Sequence, residues 1–145
     1  MTGILSAQEL RKKIAIAEGE KASVAMKKLD AAEAEKKALL DKMSRPSGLS
    51  DDEVLEKASI IINRAVENGL SAVQVYRFPH TLCTDNGRAI NQAEEGWEKT
   101  LTGIPKEIYE FWQRQLRSRG YHIRYEIIDY PGGMPGDVGV ILSWA

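Results

Sequence analysis

The chain has 145 residues, 43% of them hydrophobic and 28% charged, with a formal net charge of -1 and one cysteine. This is the composition of a folded protein rather than a disordered or fibrous one, at a length that fits one compact domain plus an extension. The near-zero balance hides an asymmetry: residues 1–49 carry ten Lys/Arg against seven Asp/Glu, residues 50–145 ten against fourteen. Neither part has the basic excess that counterion-release binding to nucleic acid needs, which argues against a nucleic-acid partner.

One cysteine makes no internal disulfide, so nothing points to a secreted, disulfide-stapled fold. The opening "MTGILSAQELRKK" lacks a basic stretch followed by an apolar run and a cleavage site. No apolar run nears the ~20 residues that cross a bilayer, so no membrane partner is expected. The default reading is a cytoplasmic protein.

Ser6 and Glu9 have the spacing of a capping box and predict a helix start. No proline follows until Pro46, which predicts one helix ending near Met43 with Gly19 as its interior weak point. At 1.5 Å per residue such a helix is about 55 Å long, more than a domain this small is wide. Ala22, Ala25, Leu29, Ala32, Leu39 and Met43 recur at alternating three- and four-residue spacings once Lys36 takes one seam position. Leu10, Ile14 and Ala17 continue the stripe in a shifted register. An alanine-rich seam allows close approach but buries little area per layer. Pairing with a second copy or with another protein's helix is the expectation; a solvated helix folded back on its own domain is the alternative.

"SRPSGLS" breaks the chain into residues 1–45, a helical extension for oligomerisation or partner binding, and residues 46–145, a small domain. Ser50 and Glu53 form a second capping box, and Gly69 supplies a left-handed stop. Between them Val54, Leu55, Ala58, Ile61, Ile62, Ala65 and Val66 make an apolar face expected in the core. "LSAVQVYRFP" reads as a strand. "GIPKEIYEFWQRQLRSRG" reads as a helix with an Ile104, Ile108, Phe111, Trp112, Leu116 stripe and Gly120 as stop. "YHIRYEIIDY" alternates, with Tyr121, Ile123, Tyr125 and Ile127 opposite His122, Arg124 and Glu126. "VGVILSW" is apolar at both parities and reads as a central strand. Trp112 and Trp144 are expected in the core, and Trp97 at a sheet edge.

The expected fold is therefore α+β or α/β. A long N-terminal helix precedes a two-layer domain with a three-stranded mixed sheet, order 1-3-2, covered by helices on one face. The first two strands are expected to run parallel to each other across the third. Their C-terminal ends then share one edge, where open α/β sheets bind ligands. That edge collects Arg77, His80, Cys83, Thr84, Asp85, Arg88 and Asp137 as candidate ligand-binding residues.

Three chemistries compete there. His80, Cys83 and Asp85 have ligand spacing for a metal, but zinc sites need a second paired motif and His122 belongs to the far edge, so no metal is assigned. His80 could activate Cys83 as a nucleophile, but no orienting group or oxyanion hole is identifiable, so no residue is assigned as catalytic. Thr84 or Asp85 could cap a short helix over Arg88–Asn91, leaving its N–H groups for an anion or filling them with the cap itself. Arg77 with Asp85, or Arg88 with Asp137, could be structural ion pairs. "PGGMPGD" lacks the Lys-Ser/Thr ending of a phosphate loop and reads as a wide connection with Met134 exposed. No cofactor is expected.

At "RFPHTLCTDNGRAINQ" and "PGGMPGD" the chain resembles a group of small uncharacterised bacterial proteins. These carry R-F-P…L-C-T-D-x-G-R-A-I-N and P-G-x-x-P-G-D segments ahead of a final apolar strand. The resemblance spans residues 70–145 and leaves the long helix outside. It implies a structural unit and brings no activity with it. Two functions remain: a non-enzymatic interaction module associating through its N-terminal helix, or a small anionic-ligand-binding protein or enzyme with its site at the strand ends.

Overall fold

The structure is a computed structural model in which residues 4–145 are described; residues 1–3, the start of the expected extension, lie outside that range. The chain divides into two compact units, Met1–Leu39 and Leu40–Ala145. The first capping box forms as its spacing predicts, with the Glu9 N–H donating to Ser6 Oγ at 3.2 Å and the Ser6 N–H to Glu9 Oε2 at 3.3 Å. Helix α1 then runs Ala7–Met43 straight through Gly19. None of its residues is buried, and Ile14 and Leu29 are 58% and 62% exposed. No helix among the described residues is long and apolar enough to cross a membrane.

Leu40–Ala145 holds the core. Ser50 caps α2, Asp51–Glu67, accepting from the Glu53 N–H at 3.2 Å, and Gly69 stops it with a φ of 75°. Strand β1 is Ala72–Pro79, a short helix α3 is Arg88–Asn91, and α4 is Gly103–Phe111. β2 and β3 are His122–Ile127 and Asp137–Ser143. The sheet order is β1-β3-β2, as the two-sided apolarity of the last strand predicts. The expected mixed sheet is corrected in one respect. With β3 inserted between two parallel neighbours, both ladders are antiparallel, and the described residues form no parallel ladder.

Register explains burial. Tyr125 pairs with Val140, Ile123 with Leu142 and Ile127 with Val138, so these side chains share the helix-bearing face. Phe78 and Tyr76 join them from β1. A bulge between Gln74 and Tyr76 leaves both Val75 and Tyr76 packed against the core. Phe78, Val138 and Val140 are 1%, 0% and 0% exposed. Tyr125 anchors an aromatic cluster, with Phe78, Trp97 and Tyr109 at ring-centroid distances of 6.1, 5.0 and 6.3 Å. Its hydroxyl donates to the Pro105 carbonyl at 2.7 Å, and burial pushes the phenol far up. Trp97, expected at a sheet edge, is part of this cluster because it also packs on Tyr109 at 5.6 Å.

The expected single helix over 103–120 changes winding. After α4 the chain makes a π turn over Trp112–Leu116 and a 3₁₀ turn over Arg117–Arg119. Phe111 and Leu116 stand five apart yet share one buried cluster with Leu142; the π turn brings i and i+5 onto one face, which an α-helix does not. Trp112 Nε1 donates to the Tyr121 carbonyl at 2.9 Å and fixes the turn. The expected core face of α2 is only partly that. Ala65 is buried and Val54, Leu55 and Ile62 pack against the Phe111 cluster, but Val66 is 52% exposed.

Met43, the last residue of α1, packs against the core cluster of Leu40–Ala145. Gly103 begins α4 at a φ of 56°, and a Cβ there would run into the backbone of Met43 and Ser44. Only glycine admits that approach.

Candidate functional site

Of the seven residues expected at the strand ends, Arg77, His80, Asp85 and Asp137 bond through their side chains to other groups of the protein, Cys83 is buried, and Thr84 and Arg88 are exposed. Arg77, on the open face of the sheet, donates from Nε to Asp137 at 2.6 Å and from a terminal nitrogen to Asp129 at 3.0 Å. The expected Arg77–Asp85 and Arg88–Asp137 pairs do not form. Asp137 sits opposite Pro79 in the β1–β3 register, which places it beside Arg77, while Arg88 lies on α3 and reaches Glu94 at 3.4 Å. Asp129 was not among the candidates. It also accepts the Asp137 N–H at 2.6 Å, and the sequence signal for it is the one carboxylate near the end of "YHIRYEIIDY", two residues past β2.

His80 bonds twice to Gly136, through its backbone N–H at 3.3 Å and through Nδ1 at 2.8 Å; a carbonyl acceptor requires the proton on that nitrogen. "PGGMPGD" is therefore held to the end of β1. Met134 at its tip is 69% exposed. Cys83 is 3% exposed inside the core cluster. Burial pushes its thiol up, a hydrogen bond with the Thr100 side chain opposes this, and the Asp85 charge adds to it. A buried thiol with a raised pKa is a poor source of thiolate. Asp85 is the cap expected of it: one oxygen accepts the Gly87 N–H at 3.0 Å and the other the Ala89 N–H at 2.9 Å. Those are the groups an anion would use at α3. Thr84 does not cap; its N–H donates to the Thr100 carbonyl at 2.8 Å. Among the described residues no three His, Cys, Asp or Glu side chains group around a metal position.

Sequence reasoning missed a second feature, an apolar cleft of about 360 Å³ between α2 and α4. Ala58 and Ile61 form one wall, Ile104 and Ile108 the other, and Val75 and Tyr76 of the bulge form the floor. Polar ties close its rim. The Ser47 N–H and hydroxyl donate to Glu107 at 3.0 and 2.7 Å, and Asp51 accepts Arg114 at 3.0 Å and Gln115 at 3.0 Å. Arg114 and Gln115 hold the Asp51 carboxyl below its ordinary range. The cleft offers apolar surface for a non-polar group. Its sequence signals were the α2 stripe and the Ile104–Leu116 stripe, which read as core until the bulge and the π turn are known.

The third feature is α1. The expected seam positions Leu10, Ile14, Ala22, Ala25, Leu29, Ala32 and Leu39 are all exposed, and Met43 alone among them is partly buried. Compared with protein-family models, curated proteins and solved structures, the chain matches none.

Proposed function

We propose that the protein is a non-enzymatic interaction module of the cytoplasm that associates through α1, with α1 of a second copy as its first partner. The observation carrying this is that a helix of 37 residues buries none of them. Isolated helices of narrow apolarity are marginal in water, and a second helix along the 3-4 seam covers Leu29 and Leu39 together with Ala22, Ala25 and Ala32. Each alanine layer contributes little, so the pairing is reversible rather than obligate. Residues 70–145 would be the part shared with the bacterial group that the sequence resembles. The lone buried cysteine suits a reducing compartment.

An anionic-ligand site at the strand ends has less support. Arg77 is bound by two carboxylates, and Asp85 fills the N–H groups of α3. The test is sedimentation velocity on the full chain and on a Leu29→Glu, Leu39→Glu variant. The wild type should sediment with a concentration-dependent multimer fraction and the variant, at equal concentration, with a smaller one. An unchanged distribution would overturn the reading.

A further inference from the structure

β1 and β2 are the outer strands of the sheet, with no further strand beside them among the described residues, and the two are built differently. β1 carries the bulge between Gln74 and Tyr76 and ends in Pro79, which has no N–H to offer. Bulges and prolines are the devices that keep edge strands from pairing. β2 has neither: its register against β3 is unbroken over all six residues.

The outward groups of β2 can be identified. The Ile128 N–H donates to the Asp137 carbonyl, so the hydrogen-bonded pairs with β3 fall at even-numbered residues of this strand. The N–H and C=O of Ile123, Tyr125 and Ile127 therefore point away from the sheet. Among the described residues no backbone or side-chain group bonds to them. On the open face the strand shows Arg124 and Glu126, exposed and joined at 3.1 Å.

We propose that β2 pairs antiparallel with β2 of a second copy, centred on Tyr125, making one continuous six-stranded sheet. In that register Tyr125 meets Tyr125 of the second copy as a hydrogen-bonded pair, and Ile123 meets Ile127 on both sides of it. All three outward residues are then used. Arg124 falls opposite Glu126 and Glu126 opposite Arg124, in the non-hydrogen-bonded positions where side chains approach most closely. A register shifted to centre on Arg124 sets like charges face to face, which disfavours it. The two-fold symmetry follows from a strand whose charges are complementary about its own centre. This contact does not depend on α1 pairing.

The experiment is amide hydrogen exchange on the full chain as a function of protein concentration, in the wild type and in the variants Arg124→Glu and Glu126→Arg. In the wild type the Ile123, Tyr125 and Ile127 amides should slow by about tenfold or more from dilute to concentrated solution. Each variant alone sets like charges opposite one another and should lose that dependence. An equal mixture of the two variants restores opposite charges at every position and should regain it. The Arg124 and Glu126 positions bond inward to β3, and their unchanged protection reports that each variant is folded. Concentration-independent exchange of the three outward amides, or a mixture that behaves like the separate variants, would overturn the proposal. Neither result touches the sedimentation test of α1.

Discussion

α1 and α2 begin alike and finish in opposite circumstances. In each, a serine accepts the N–H of the glutamate three residues on at 3.2 Å. α2 then brings Val54, Leu55 and Ile62 onto Phe111, Leu116 and Leu142, whereas no residue of α1 is buried. The difference lies in the turns beyond the cap. α2 concentrates branched residues on one side; α1 spreads alanine, lysine and glutamate round its circumference, with single large residues between them. A cap fixes where a helix starts, and the width of its apolar face decides whether a core will hold it.

Truncation should show that contrast at its largest. Removing residues 138–145 takes out the central strand with Val138 and Val140, and the remaining chain should show no cooperative melt by circular dichroism. Removing residues 1–39 should leave a cooperative melt. A cooperative melt without the last strand would contradict the central place of β3. Single substitutions should separate the two helical regions less widely. Phe111→Ala is expected to lower stability in urea by about 3–5 kcal/mol. Leu29→Ala should shift the midpoint of Leu40–Ala145 by no more than about 0.5 kcal/mol.

The caps sharpen the comparison further. Ser50→Ala should cost Leu40–Ala145 about 1 kcal/mol in the same titration. Ser6→Ala should leave that midpoint in place and reduce only the far-ultraviolet helical signal. The smallest effect is expected at Asp51, whose carboxyl Arg114 and Gln115 hold below the ordinary 3.8. A lowered carboxylate stabilises the fold above its unfolded pKa, and that contribution disappears as pH falls through the lowered value. Asp51→Asn should therefore be slightly less stable at neutral pH and lose less on acidification below pH 3.8. Parallel acid titrations of the two proteins would contradict the role given to this pair.

Much of the fold was legible because local signals and burial pattern agreed. Both capping boxes, the stop at Gly69, the alternation of β2 and the two-sided apolarity of β3 each have one dominant physical cause. The strand-end cluster was legible as a neighbourhood but not as a set of bonds. Arg77 chose Asp137 and Asp129 over Asp85, because cross-strand register decides which carboxylate comes within reach. The cleft was illegible. It depends on the bulge at Val75 and on the π turn after Phe111, both of which answer to packing across the fold rather than to neighbouring residues. Sequence periodicity assumes unbroken α and β repeats, and it fails where one residue is inserted into either.

The central claim is that α1 is an association element. Light scattering on the full chain and on Leu40–Ala145, both carrying Arg124→Glu to silence the β2 edge, tests it most directly. A multimeric mass is predicted for the full chain and a monomeric mass for the shorter one. Equal numbers of subunits in the two would contradict it.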